Sequence, residues 1–281
     1  MELKKRRGQT GDLAMRAIRL PHDLEVRSLV SRRAILQMGA CLACVSGKPA
    51  VAETRYGCTL QGGEMAQYMS PSNYEMPYWG SVPVVETGRL RGSGDSAFDR
   101  ALAMTLVKIS DIFSVEPGFA FSELVKLNAF ASSNKSLGRD DGSVMFGNSL
   151  YREIMQRREY PEVGVVAVCA HEFGHIVQYR HGIDKILVSN GRVKRLELHA
   201  DFLAGYFAGR RKLERPDFPA AVFASTQYSF GDSDYGNAKH HGTQTERGAA
   251  VVAGYESAYR SRQNFADALQ TGIQYVSSIA W

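Results

Sequence analysis

Apolar residues recur with helical spacing through most of the chain beyond residue 97. Over 98–115 they fall at Leu102, Met104, Leu106, Val107, Ile109 and Ile112, and the pattern stops before Pro117-Gly118, which predicts a helix. Residues 163–182 hold an apolar run, Val163 to Ala170, that continues past a polar interruption into Ile176-Val177. That length and that density of Ala and aliphatic residues predict a buried helix rather than a strand, with Gly182 as its stop. A second amphipathic helix is expected over 193–208, carrying Leu196, Phe202, Leu203, Tyr206 and Phe207 on its apolar face. Further helices are expected over 150–157, 219–230, 246–259 and 263–279.

Strand signals are fewer. Residues 142–147, Gly-Ser-Val-Met-Phe-Gly, read as a short strand between glycines. Residues 120–130 fit one strand or a short helix, 184–188 a turn or strand, and 231–242 a polar loop holding His240 and His241. The expected fold class is therefore α+β and predominantly helical. No internal repeat or low-complexity segment is present.

Before residue 98 the character changes. Residues 53–97 are rich in Gly, Ser, Pro, Tyr and Met without a sustained period, and read as an extended, loop-rich arm. Residues 1–52 hold ten of the 34 Lys/Arg and four of the 29 Asp/Glu. That leaves 24 bases against 25 acids in 53–281, so the formal charge of +5 belongs to the leader. A nucleic-acid-binding body is not implied. Within the leader, Ser31-Arg32-Arg33-Ala34-Ile35-Leu36-Gln37 resembles the bacterial twin-arginine export motif. A modest apolar stretch follows, then Ala50-Val51-Ala52 as a small-x-small cleavage site. That resemblance implies export of an already folded protein to the periplasm or beyond, with no stable membrane span after cleavage. Met15 is an alternative start, and a lipoprotein reading through Cys41 is weaker because the preceding apolar run is short. Cleavage leaves Cys58 and Cys169, which either pair or, as preferred here, leave Cys169 a buried free thiol.

The chemistry lies in His171-Glu172-Phe173-Gly174-His175. On a helix His171 and His175 stand one above the other, so both imidazoles reach one metal ion. Glu172, about 100° further round, sits beside the ion as a base. This is a zinc hydrolase signature. Catalytic zinc takes three protein ligands, and Glu197-Leu198-His199-Ala200-Asp201 supplies Glu197 as the third. Asp201, one turn on, can accept the outer N–H of a ligand histidine. His199 points roughly opposite, as a surface or packing residue, and His181 lies off the ligand face. Gly174 leaves room for another backbone or a substrate to approach between the histidines.

The two helix motifs, with His241-Gly242-Thr243 and Glu246-Arg247 beyond them, resemble the thermolysin-like, Glu-ligand zincin metallopeptidases. The wording is closest to the bacterial neutral zinc metallopeptidases, over roughly residues 128–255. The resemblance implies a zincin-like domain over 98–281 that cleaves peptide or protein substrates. Its ligands to Zn2+ would be His171, His175 and Glu197, with Glu172 as general base, Asp201 behind the ligands, and 142–147 as the edge strand that aligns substrate. Candidates for the donor that stabilises the oxyanion are His241, favoured, then His240, Tyr235 and Arg247. Other cell-envelope zinc hydrolases, amidases or peptidoglycan peptidases, share such ligands, and a non-catalytic zinc-holding protein is the remaining alternative. The intact Glu172 argues against the latter. Oligomeric state is not legible in the sequence.

Overall fold

The computed structural model describes residues 92–281, apart from Leu124, Lys126 and Ser136. The leader and all but the end of the expected arm lie outside the described residues. Helix α1 (Ser96–Phe113) starts where the Asp95 carboxylate accepts from the backbone N–H groups of Ala97 and Phe98. It buries Leu102, Leu106, Ile109 and Phe113 along one face, whereas Met104 and Val107 of the same apolar pattern lie on the other side, exposed.

Three short strands follow: β1 (Gly118–Ser122), β2 (Ala129–Ser132) and β3 (Ser143–Gly147), in the sheet order β1-β3-β2. β1 runs parallel to β3, pairing Phe119 with Val144 and Phe121 with Phe146, while β2 runs antiparallel, pairing Phe130 with Met145. The segment 120–130 is thus neither one strand nor a helix but the end of one strand and the start of another. β3 is also not an edge strand. It is the centre of the sheet, buried at every position and hydrogen-bonded on both sides, so no peptide can add to it. Its continuous apolar run, without polar alternation, is what a strand covered on both faces requires.

Helix α2 (Asn148–Met155) leads to α3 (Pro161–His181), which bears the histidine motif. Pro161 stands in the first turn of α3, where its missing N–H is no loss. Gly182 ends it in the left-handed conformation at φ 66°, which a side chain would resist. Residues 184–187 form a one-turn helix, α4 (Asp184–Leu187), rather than a strand. Helix α5 (Lys194–Glu214) runs six residues past its expected end; Arg210, Arg211 and Leu213 continue a helix as readily as they leave one. Helices α6 (Ala221–Ser229), α7 (Gln244–Tyr259) and α8 (Phe265–Ser277) complete the chain. At the start of α7, Thr243 and Glu246 cap each other's backbone N–H groups in a capping box.

α5 is the hub. It meets α3 where a Cβ on Gly174 would lie 3.2 Å from the Ala200 Cα. It meets α7 more closely still: a Cβ on Gly205 would fall 1.9 Å from the Val251 carbonyl oxygen, and one on Gly254 1.8 Å from that of Phe202. Backbone, not a flexible side chain, occupies the space, so neither glycine can gain a methyl without the helices separating. Around these contacts Phe202, Tyr206, Phe207 and Phe223 fill the core. The result is a predominantly helical α+β domain with a three-stranded sheet. We expect Gly254→Ala to destabilise the fold by about 3 kcal/mol, a fall in Tm of roughly 10 °C in a thermal melt; an unchanged Tm would contradict this packing.

Candidate metal centre

His171 and His175, one turn apart on α3, bring their Nε2 atoms to 3.2 Å with their rings at 89°. The close α3–α5 contact at Ala200 carries Glu197, three residues earlier on α5, into the same space. One Glu197 oxygen lies 3.4 Å from His171 Nε2 and the other 3.6 Å from His175 Nε2. All three side chains are essentially excluded from solvent.

The hydrogen bonds behind the rings decide what faces the centre. His171 Nδ1 is 2.7 Å from an Asp201 oxygen, a carboxylate already gripped by Arg247 through Nε at 2.8 Å and a second guanidinium nitrogen at 2.9 Å. A carboxylate so placed accepts, so Nδ1 donates, and the Nε2 lone pair of a neutral His171 points at the centre. His175 Nδ1 is 2.7 Å from Gln178 Oε1 and donates likewise. Two imidazole lone pairs and a carboxylate therefore converge, and no donor answers them: both Glu197 oxygens are buried without a hydrogen bond. Ligand atoms on a tetrahedral zinc with bonds of 2.0–2.1 Å stand roughly 3.3 Å apart, against the 3.2, 3.4 and 3.6 Å found here. A divalent cation fits this donor set, and among the described residues it is the one such His/Cys/Asp/Glu cluster.

Burial alone would raise the Glu197 pKa, but the facing imidazoles of His175, His241 and His171 hold it well below the usual carboxylate range. Burial likewise opposes the charge on Asp201, and Arg247 and His171 outweigh it, so this carboxyl also titrates low. For His171 burial disfavours the imidazolium, yet the carboxylates of Asp201 and Glu197 prevail and its pKa is raised.

Glu172 is buried on the turn shared with His171. Cys169 is buried and, among the described residues, a free thiol, pushed well up by burial and by the charge of Glu172; Cys58 lies outside the described residues. Gly174 admits the α5 backbone, one of the two uses foreseen for it. His181, expected off the ligand face, is exposed at the end of α3. His199 is not a surface residue; it is fully buried, and burial drives its pKa down to about 4, so it is neutral at neutral pH.

The four candidate donors in and beyond the loop 231–242 meet different fates. Arg247, beyond the loop's end, is buried and committed to Asp201, with further hydrogen bonds to Gln227 and to the Phe230 carbonyl. It is no free donor to an oxyanion but the bolt behind Asp201. Tyr235 is exposed and tilts against the His240 ring at 5.3 Å. Asp232 draws the two histidines inward: it contacts His240 Nδ1 and accepts from the His241 backbone N–H at 3.1 Å. His240 Nε2 is left buried without a hydrogen bond, and the His241 imidazole is among the groups that lower the Glu197 pKa. Gln178, Asp232 and the bolting role of Arg247 were not foreseen. Only Gln178 carried a usable signal, its position one turn beyond His175 on the ligand face.

The small sheet with a His-His-Glu triad split across two helices matches a zincin-like architecture. Comparison with protein-family models, curated proteins and solved structures finds no match. The functional reading rests on the site itself.

Two outcomes test the centre. Glu197→Ala should abolish stoichiometric metal in the purified protein, and Asp201→Asn should weaken zinc binding about 10–100-fold, measured by metal analysis and chelator competition. The low Asp201 pKa also fixes a pH dependence. An ionised Asp201 stabilises the fold fully above its ordinary value near 3.9, and that stability is lost as pH falls through the lower folded value. The acid limb of a pH-denaturation curve should therefore flatten in Asp201→Asn.

Proposed function

We propose that this chain is a zinc-dependent metallopeptidase acting on peptide or protein substrates. The observation that carries the reading is the triad of His171, His175 and Glu197, whose three ligand atoms converge while both Glu197 oxygens lack a hydrogen bond. Glu172, the ionisable neighbour of that triad, supports hydrolysis over mere metal storage. Zinc is preferred among divalent ions because two imidazoles and one carboxylate are its habitual catalytic set.

His171, His175 and Glu197 would hold the ion. When bound there, zinc polarises a carbonyl and acidifies water toward a pKa of about 7. Glu172 takes the proton of the attacking water and passes it to the leaving amine. Asp201, fixed by Arg247, keeps His171 in the tautomer that presents Nε2. His241, held by Asp232, is the proposed donor to the negative charge growing on the carbonyl oxygen, with His240 beside it. Since β3 is paired on both sides, a peptide laid against the sheet would meet β1 or β2, and β2 packs beside α3.

The domain assignment belongs to the same proposal: a twin-arginine-type signal over 1–52, an arm over 53–97 and the peptidase over 98–281. The exported protein would act in the periplasm or outside the cell. No helix among the described residues is long and apolar enough to cross a membrane.

Casein hydrolysis that a chelator stops and zinc restores is the expected result. Glu172→Gln should keep its zinc and lose about 10²–10⁴-fold in turnover. Undiminished hydrolysis by the zinc-loaded Gln variant would remove Glu172 from the mechanism. Cleavage of cell-wall peptides in place of casein would redirect the substrate assignment.

A further inference from the structure

The two ligand histidines are held from behind by different means. His171 leans on a charged pair, Asp201 and Arg247. Behind His175 stands an uncharged relay that ends on another helix. Gln178 is buried and its amide nitrogen lies 2.7 Å from the Leu196 carbonyl oxygen. An amide oxygen cannot face a carbonyl oxygen at that distance, so the amide orientation is fixed: nitrogen toward Leu196, oxygen toward His175 Nδ1 at 2.7 Å. His175 must then carry its proton on Nδ1 and present Nε2 to the centre. The same amide nitrogen lies 3.1 Å from His199 Nδ1. That makes His199 Nδ1 the acceptor and puts the His199 proton on Nε2, 3.5 Å from the Leu269 carbonyl of α8. Gly272, also on α8, leaves the room: a Cβ there would lie 3.0 Å from the His199 ring.

We propose that Gln178, backed by His199, is a positioning residue that locks His175 in its Nδ1–H tautomer and so couples the metal centre to the C-terminal helix. The role of His175 as a ligand rests on the metallopeptidase reading; the tautomer lock does not. Neither residue touches substrate.

The test uses the full chain, first free of metal. Nitrogen-15 spectra should show the His175 ring of the wild type as a single Nδ1–H tautomer. In Gln178→Leu the ring should become a mixture while His171 stays unchanged. Zinc competition with a chelator should then show affinity reduced about 10–100-fold. His199→Leu should mix the tautomers to a smaller degree, because the Leu196 carbonyl still holds the amide; this variant carries the comparison if Gln178→Leu does not fold. An Nε2–H His175 in the wild type, or a folded Gln178→Leu with unchanged tautomer and affinity, overturns the proposal. A wild type with the expected tautomer but no affinity for zinc sinks the metal reading instead and leaves the lock standing.

Discussion

Everything at the centre depends on how close α5 can come to α3. Glu197 is a carboxylate with no solvent and no hydrogen bond, and burying such a group is opposed by several kcal/mol of lost hydration. Positive charge among the facing groups, a proton on an imidazole or a cation between them, is what offsets that cost, and Glu197 reaches those groups because Gly174 has no side chain to hold Ala200 away. With a methyl at position 174, the neighbouring helix would have to yield just where the ligand distances are set. A site with tolerances of a few tenths of an ångström needs its spacing fixed by backbone contact, and this one is.

The same constraint explains why α5 is locked from its other side. A helix held against α3 only by the attraction of unlike groups would relax away from a buried carboxylate. Gly205 and Gly254 let α5 and α7 meet backbone to backbone, so α5 has no direction in which to retreat. α7 also supplies Arg247, which cancels the charge of Asp201. The two buried acids of α5 are thus treated differently. Asp201 is neutralised by the protein, whereas Glu197 is left facing imidazoles, and that difference leaves the second able to take a cation.

What the sequence discloses divides along physical lines. Local relations are legible: the one-turn spacing of His171 and His175, the proline and glycine that bound α3, the one-turn step from Glu197 to Asp201. Each follows from the geometry of a single helix. Relations between elements are not. β3 looks like any short strand between glycines, and its place at the sheet centre is set by pairing with β1 and β2; only its unbroken apolar run hinted at it. Arg247 is visible as a basic residue near the loop histidines, but its partner lies 46 residues away on another helix. The spacing points His199 away from Glu197 and leaves surface and packing both open; the structure takes the second, against α8. A helical wheel gives the direction in which a side chain points and says nothing of what waits there.

The loop 231–242 shows how these long-range ties reach the chemistry. It ends in the Thr243–Glu246 capping box, which fixes the first turn of α7. The Glu246 carboxylate in that box also accepts from Lys194 at 3.1 Å, and this lysine opens α5 and is itself buried. The next residue of α7, Arg247, grips Asp201. The loop that presents His240 and His241 is therefore anchored at its end twice to one face of the helix that carries Glu197, at Lys194 and two turns later at Asp201. Glu197, Asp201 and the loop histidines are thereby held in one mutual arrangement, and the contacts of α5 with α3 and α7 hold that arrangement against the histidines of α3. Under the hydrolytic reading proposed above, that fixed arrangement is what an oxyanion donor requires, since it would have to keep register with the ion.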